Sequence, residues 1–159
     1  MTEERRNGPF PRDGAFELGD DGPRVILVGI DGSPTSLRAG AYAAGLARRQ
    51  RSDLVAVHVA TTPALATLAP GRPSPVEETL AAVTEEIRRQ VAAGAAHVGV
   101  PVEFVALRGD PYAELCRAAS ETHADAVVVG ASTQVGHRLM GSLALRLVRA
   151  GRWPISVVP

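Results

Sequence analysis

Asp31 ends a short apolar run, Arg24-Val-Ile-Leu-Val-Gly-Ile-Asp31, and Gly32-Ser33-Pro34 follows at once. A second apolar run, Ala124-Asp-Ala-Val-Val-Val-Gly130, leads into a polar loop through Thr133 that closes on Gly141-Ser142. These residue types suit binding rather than bond breaking. A carboxylate at the end of a buried strand accepts hydrogen bonds from ribose hydroxyls. It also folds an Asx-turn that starts the next helix with no ligand involved, and both readings stand. Glycines let backbone N–H groups approach an anion, and a helix opening at Ser142 offers free N–H groups and a favourable dipole. Gly136 could shift that turn, and His137 and Arg138 could add charge to it. The plainer alternative makes Ser142 a helix cap and Gly141 a turn residue.

Other chemistries lack their residues. Gly29 and Gly32 do not form the Gly-x-Gly-x-x-Gly dinucleotide fingerprint. All 17 basic residues counted as Lys or Arg are Arg, so there is no P-loop lysine. The single cysteine, Cys116, excludes an intrachain disulfide and a multi-cysteine metal site. Among Leu115, Ala118 and Ala119 it reads as a small buried hydrophobe. His58 closes an apolar run and reads as a core or strand-end histidine, since no second histidine stands at metal spacing. His97 and His123 fall near helix ends, where they suit the dipole. Glu85-Glu86 followed by Arg88-Arg89 reads as a solvated, salt-bridged helix face. No nucleophile–base pair, carboxylate pair or clear magnesium ligand set stands out, so the expectation is a non-catalytic protein without a metal.

The elements that must position these residues alternate strand and helix. Val25–Ile30 is a continuous β-branched run, as a central parallel strand buried on both faces requires. Ser33-Pro34 starts a helix to about Gln50, with Ser as N-cap and Pro at the first helical position. Leu54–Val59 is the second strand, and Thr61–Arg72, with its prolines and glycine, a loop. Ser74-Pro75-Val76-Glu77 is a capping box opening a long helix to about Val98. Val100–Leu107 is the third strand, and Asp110-Pro111 caps a helix ending near Thr122. Ala126–Val129, Ser142–Ala150 and Ile155–Val158 are the fourth strand, fourth helix and fifth strand. This alternation predicts an α/β domain: an open five-stranded parallel sheet with helices on both faces and right-handed crossovers.

A chain of 159 residues fits one such domain with a real core. Residues 1–23 hold Gly, Pro and charges of both signs without apolar periodicity, and read as a flexible tail before a domain over 24–159. The formal net charge of zero gives no field to gather nucleic acid or anionic membrane. No apolar run approaches a membrane span, and the start, Met1-Thr-Glu-Glu-Arg-Arg, has no apolar signal region. The expectation is a cytoplasmic protein with neither nucleic acid nor membrane as partner.

Val28-Gly-Ile-Asp31-Gly-Ser33, His58-Val59, Ala124-Asp-Ala-Val-Val-Val-Gly130, Gly141-Ser142 and Pro154-Ile-Ser-Val-Val-Pro159 together resemble the universal stress protein family. The resemblance covers about residues 24–159 and rests on the order and spacing of these motifs. It implies a Rossmann-like sheet ordered 3-2-1-4-5 and a homodimer paired through the fifth strands. It also implies a stress-response role, by a regulatory module with an ATP or AMP site between strands one and four, or by a protein that binds no nucleotide and acts through protein partners. A slow nucleotide hydrolase is a further alternative. Carried over by motif, Asp31 takes the ribose side, the Val59 backbone meets adenine, Gly130 is the first loop glycine, and Gly141-Ser142 close the loop. The chain departs from the binding pattern at its centre. Thr133 replaces the second loop glycine, and seven residues rather than nine separate it from Gly141. A β-carbon there crowds a phosphate that needs close approach. Trp153-Pro154, ahead of the last strand, reads as a dimer contact, with a clamp on the sheet edge as the alternative.

Overall fold

The computed structural model describes residues 22–61, 74–131 and 142–159. Along the chain run β1 (Val25–Gly29), α1 (Pro34–Gln50), β2 (Asp53–Ala60), α2 (Pro75–Val98) and β3 (Val102–Arg108). α3 (Pro111–Glu121), β4 (Ala126–Gly130), α4 (Ser142–Ala150) and β5 (Ile155–Val158) follow. Every strand pairing is parallel, in the order β3-β2-β1-β4-β5. The chain first steps outward from β1 to β3, then returns to lay β4 on the other side of β1. The carboxyl ends of β1 and β4 therefore flank the topological switch point, where open α/β sheets form their ligand crevice.

The central strands are apolar throughout because both of their faces are covered. Ile26, Leu27, Val28, Val127 and Val128 are at most 1% exposed. Ile26 and Val28 point into one core, with Ala39 and Ala43 of α1 and Ile87 of α2. Leu27 and Val127 point into the other, with Leu115 and Ala119 of α3 and Leu147 of α4. Two helices thus cover each face, and small alanines on α1 let that helix lie close to the strands.

Three helices open by one device. Ser33, Ser74 and Asp110 accept from the N–H groups of Ser36, Glu77 and Ala113, and a proline follows each cap. The cap satisfies one orphan donor, and the proline occupies a position whose N–H would have no helical partner. Ser74 completes a capping box with Glu77. α2 stops at Gly99, whose φ of +72° glycine adopts freely.

Strand ends differ from the sequence reading for identifiable reasons. Val100 stays out of β3 because its N–H is committed to the Ala95 carbonyl at the end of α2. Pro101 has no N–H to offer. Pairing of β1 with β2 stops at Gly29 and Val57, so Ile30 leaves the strand. β2 and β3 instead run one residue further, to the Ala60–Arg108 pair. Pro23 is already tied to the domain, its carbonyl accepting from the Ser52 hydroxyl. Residues 1–21 of the expected tail and nearly all of the 61–72 loop lie outside the described residues.

Candidate functional site

Strand register places the predicted residues relative to one another. Gly29 pairs with Val57, and Val28 with Val128. Two residues further up each strand stand Asp31, Val59 and Gly130. The three therefore share one rim of the sheet, at the switch point between β1 and β4 and its β2 flank. Thr133 and Gly141 lie outside the described residues, as do Gly136, His137 and Arg138. The chain reaches Ala131, whose N–H donates to the Val158 carbonyl at 2.7 Å, and is described again at Ser142. Ser142 is exposed and is the first residue of α4.

Asp31 does form an Asx-turn. Its Oδ1 accepts from the Ser33 N–H at 2.9 Å. The turn is locked from behind: the Asp31 N–H donates to Ser36 Oγ at 3.2 Å, and that hydroxyl donates to the Ser33 carbonyl at 3.0 Å. Burial pushes the Asp31 carboxyl up, but hydrogen bonds from Ser33, Ser36 and its own backbone outweigh this and hold it below its ordinary value. Asp31 is therefore an anion on an exposed edge of the rim. A fixed, ionised carboxylate is a hydrogen-bond acceptor only, the property a ribose diol needs. The two readings of Asp31 are compatible, since the turn that starts α1 also orients the carboxylate.

Gly32 takes a φ of +84°, and a β-carbon there would meet Ile87 of α2 at 3.4 Å. The turn thus rests against α2 while facing the crevice. Gly130 has a different constraint. A β-carbon there would lie 2.6 Å from the Thr35 backbone carbon and 2.7 Å from the Ser36 nitrogen. The glycine lets the end of β4 lie directly against the first turn of α1, a sufficient reason for its presence without any phosphate.

Val59 is partly buried at the carboxyl end of β2. Its neighbour His58 is 5% exposed, and its Nδ1 lies 2.9 Å from the Ile30 carbonyl oxygen. A carbonyl only accepts, so Nδ1 carries the hydrogen. His58 is a strand-end histidine with its Nδ1–H satisfied, and among the described residues no three His, Cys, Asp or Glu side chains gather as a metal site. Cys116 is free and buried. Sequence reasoning did not single out Ser36 or Thr35, each only 3% exposed in the turn behind Asp31. The available signal was a second pair of hydroxyl residues directly after Ser33-Pro34.

Away from the rim, a shallow depression of about 330 Å³ lies at the opposite end of the sheet, lined by Asp53, Leu54, Pro101, Glu103 and Thr122 among others. It brings together neither Asp31, Val59 nor Gly130. At the sheet edge, Trp153 packs with Ile155 and Val157 into the core beneath α3 and α4. Arg152 stacks on its ring at 4.5 Å and reaches the Ser120 hydroxyl. Within the chain this is a clamp on the sheet edge, and it leaves Trp153 only partly buried. No helix among the described residues is long and apolar enough to cross a membrane.

Comparison with known proteins agrees with this geometry. The model of the Universal stress protein family matches residues 23–159. A universal stress protein of Methanocaldococcus jannaschii is 28% identical over 138 residues, covering 85% of this chain and 81% of the relative. A crystal structure of a universal stress protein family member from Burkholderia pseudomallei is 30% identical, with a TM-score of 0.66 over 86% of this chain and 96% of that one. A universal stress protein solved in complex with cAMP is 24% identical and shares the fold, with a TM-score of 0.70 over 86% of this chain and 97% of that one. The chain belongs to the universal stress protein family.

Proposed function

We propose that this chain is a non-catalytic regulatory module of the stress response, a cytoplasmic homodimer that takes an adenine nucleotide, ATP or AMP, between β1 and β4. One observation carries the reading: the ionised Asp31 carboxylate stands on the same rim as the open end of β2 at Val59, beside the switch point. A carboxylate acceptor for ribose and a strand end for the base are the two contacts that orient a nucleoside. The cAMP complex of a protein with the same fold supports the ligand class.

A second reading has its own observation. Packing against α1 already accounts for Gly130, and the loop beyond it is two residues shorter than the binding pattern. On that reading the chain binds no nucleotide and acts through protein partners. Calorimetric titration of nucleotide-stripped protein with ATP and magnesium decides between them. Micromolar binding, lost at least about tenfold (~1.4 kcal/mol) in Asp31→Ala, supports the nucleotide site. Absence of heat and of co-purified nucleotide selects the second reading. Binding that Asp31→Ala leaves unchanged removes Asp31 from the site.

A further inference from the structure

In a parallel strand the N–H and C=O of one residue point to the same side, and those of the next residue to the other side. The Ile30 N–H donates to the Val57 carbonyl at 2.8 Å, so residue 57 faces β1. The Gly109 N–H donates to the Ala60 carbonyl at 3.2 Å, so residue 60 faces β3. Val59 therefore presents both its N–H and its C=O toward β1. The next rung of the β1–β2 ladder would join the Val59 N–H to the Ile30 carbonyl. That backbone bond is absent, and pairing ends at Gly29 and Val57. The Ile30 carbonyl is instead engaged by the His58 imidazole at 2.9 Å, in the core beneath the rim.

We propose that His58 is a positioning residue that holds the β1–β2 ladder open. It gives the Ile30 carbonyl a partner where the ladder stops, so the Val59 N–H and C=O stay open toward the base that the family resemblance places there. This deepens the function proposed above and rests on it. A paired N–H and C=O offer one donor and one acceptor. The N1 and N6 edge of adenine supplies the matching acceptor and donor, whereas guanine presents the opposite polarity at N1 and O6. A strand that completed its last rung would have spent the donor on β1. The imidazole suits the task because it is rigid and buried and its Nδ1 proton has one acceptor within reach, so the carbonyl stays satisfied without the ladder. A residue that merely packed in the core would leave base selectivity unchanged.

Two measurements test the proposal. The first is amide hydrogen exchange at Val59 in the ligand-free protein. His58→Phe keeps the aromatic bulk and removes the donor, so the rung closes and Val59 exchange slows at least about tenfold relative to the wild type. His58→Asn, whose amide reaches the same carbonyl, keeps the fast exchange. Equal exchange in wild type and His58→Phe overturns the proposal. The second compares ATP with its 1-deaza analogue, which lacks the N1 acceptor. Wild type favours ATP about tenfold, His58→Phe less than about twofold, and His58→Asn restores the preference. Should His58→Phe fail to fold, the wild type still decides, since equal affinity for ATP and the analogue overturns base reading by Val59. A wild type that binds neither compound overturns the nucleotide reading and base reading with it. The exchange comparison, or in its place the rate at Val59 in the wild type, then decides whether His58 holds the ladder open.

Discussion

At the scale of single residues, Gly130 shows how one residue type can satisfy two readings. In the sequence it is a glycine opening a loop, the form an anion site takes. In the fold the pro-chiral hydrogen that a β-carbon would replace faces the backbone of Thr35 and Ser36. Backbone cannot move aside as a flexible side-chain tip can, so even alanine at this position separates β4 from α1. Gly130→Ala is expected to lower stability by about 1–3 kcal/mol, the usual cost of overpacking a filled interface. Urea unfolding monitored by circular dichroism measures it. A midpoint equal to wild type would show that the first turn of α1 yields, and would return the glycine to a role at the loop. The Asx-turn at Asp31 was legible from sequence because an Asp just ahead of a Gly-Ser-Pro helix start acts on its own neighbours. The packing reason for Gly130 was not, because it depends on a helix nearly a hundred residues earlier in the chain.

At the scale of elements, signals were clear where a residue acts on its own neighbours. The Ser-Pro and Asp-Pro pairs mark three helix starts because cap and proline work within one turn, and Gly99 marks the end of α2. Strand ends were less legible. β3 begins at Val102 because the end of α2 has already claimed the Val100 N–H and Pro101 has none, and β1 stops at Gly29, just before the Ile30 carbonyl that a β2 histidine engages. The strand order came through family resemblance, since periodicity carries no information about which strands adjoin. α1 ends without a glycine. Arg51 closes it with φ at +57° and ψ at +41°, and its N–H bonds to the Ala47 carbonyl. A left-handed non-glycine residue costs about 1–2 kcal/mol, while glycine adds about 0.4–1 kcal/mol of unfolded-state entropy to be lost on folding. The first term is the larger, so Arg51→Gly is expected to stabilise the protein by about 0.5–1 kcal/mol, read as a raised thermal midpoint. A lowered midpoint would mean that the arginine makes a compensating contact.

At the scale of the whole molecule, the proposed dimer turns on what covers β5. Among the described residues β5 pairs only with β4, so its outer edge is a strand edge of the kind natural proteins cover or blunt. Exposed apolar residues flank it on both faces. Val148 on α4, the helix packed over β5, is 45% exposed. On α1, Tyr42 is also 45% exposed and stands one turn before Leu46, which packs into the core that takes Val158 of β5. A two-fold pairing of β5 edges would extend the sheet across two chains and bring these residues to the contact twice, as an isologous interface requires. The structure also dictates which variant tests this. Val157 packs into the chain's own core with Trp153, so a charge there challenges folding before association. Tyr42→Asp combined with Val148→Asp changes exposed positions only, and the fold is expected to survive. Light scattering should give the wild type twice the chain mass of 16.6 kDa and the double variant a single chain mass, with unchanged circular dichroism. A wild type of single chain mass overturns the homodimer, and a double variant that stays dimeric moves the interface away from this edge. Because β5 pairs with β4, whose last residue packs on the turn holding Asp31, loss of the dimer has a direct structural route to the rim. If nucleotide and dimer are coupled through it, linkage requires ATP to tighten the dimer by the same factor by which dimerisation tightens ATP.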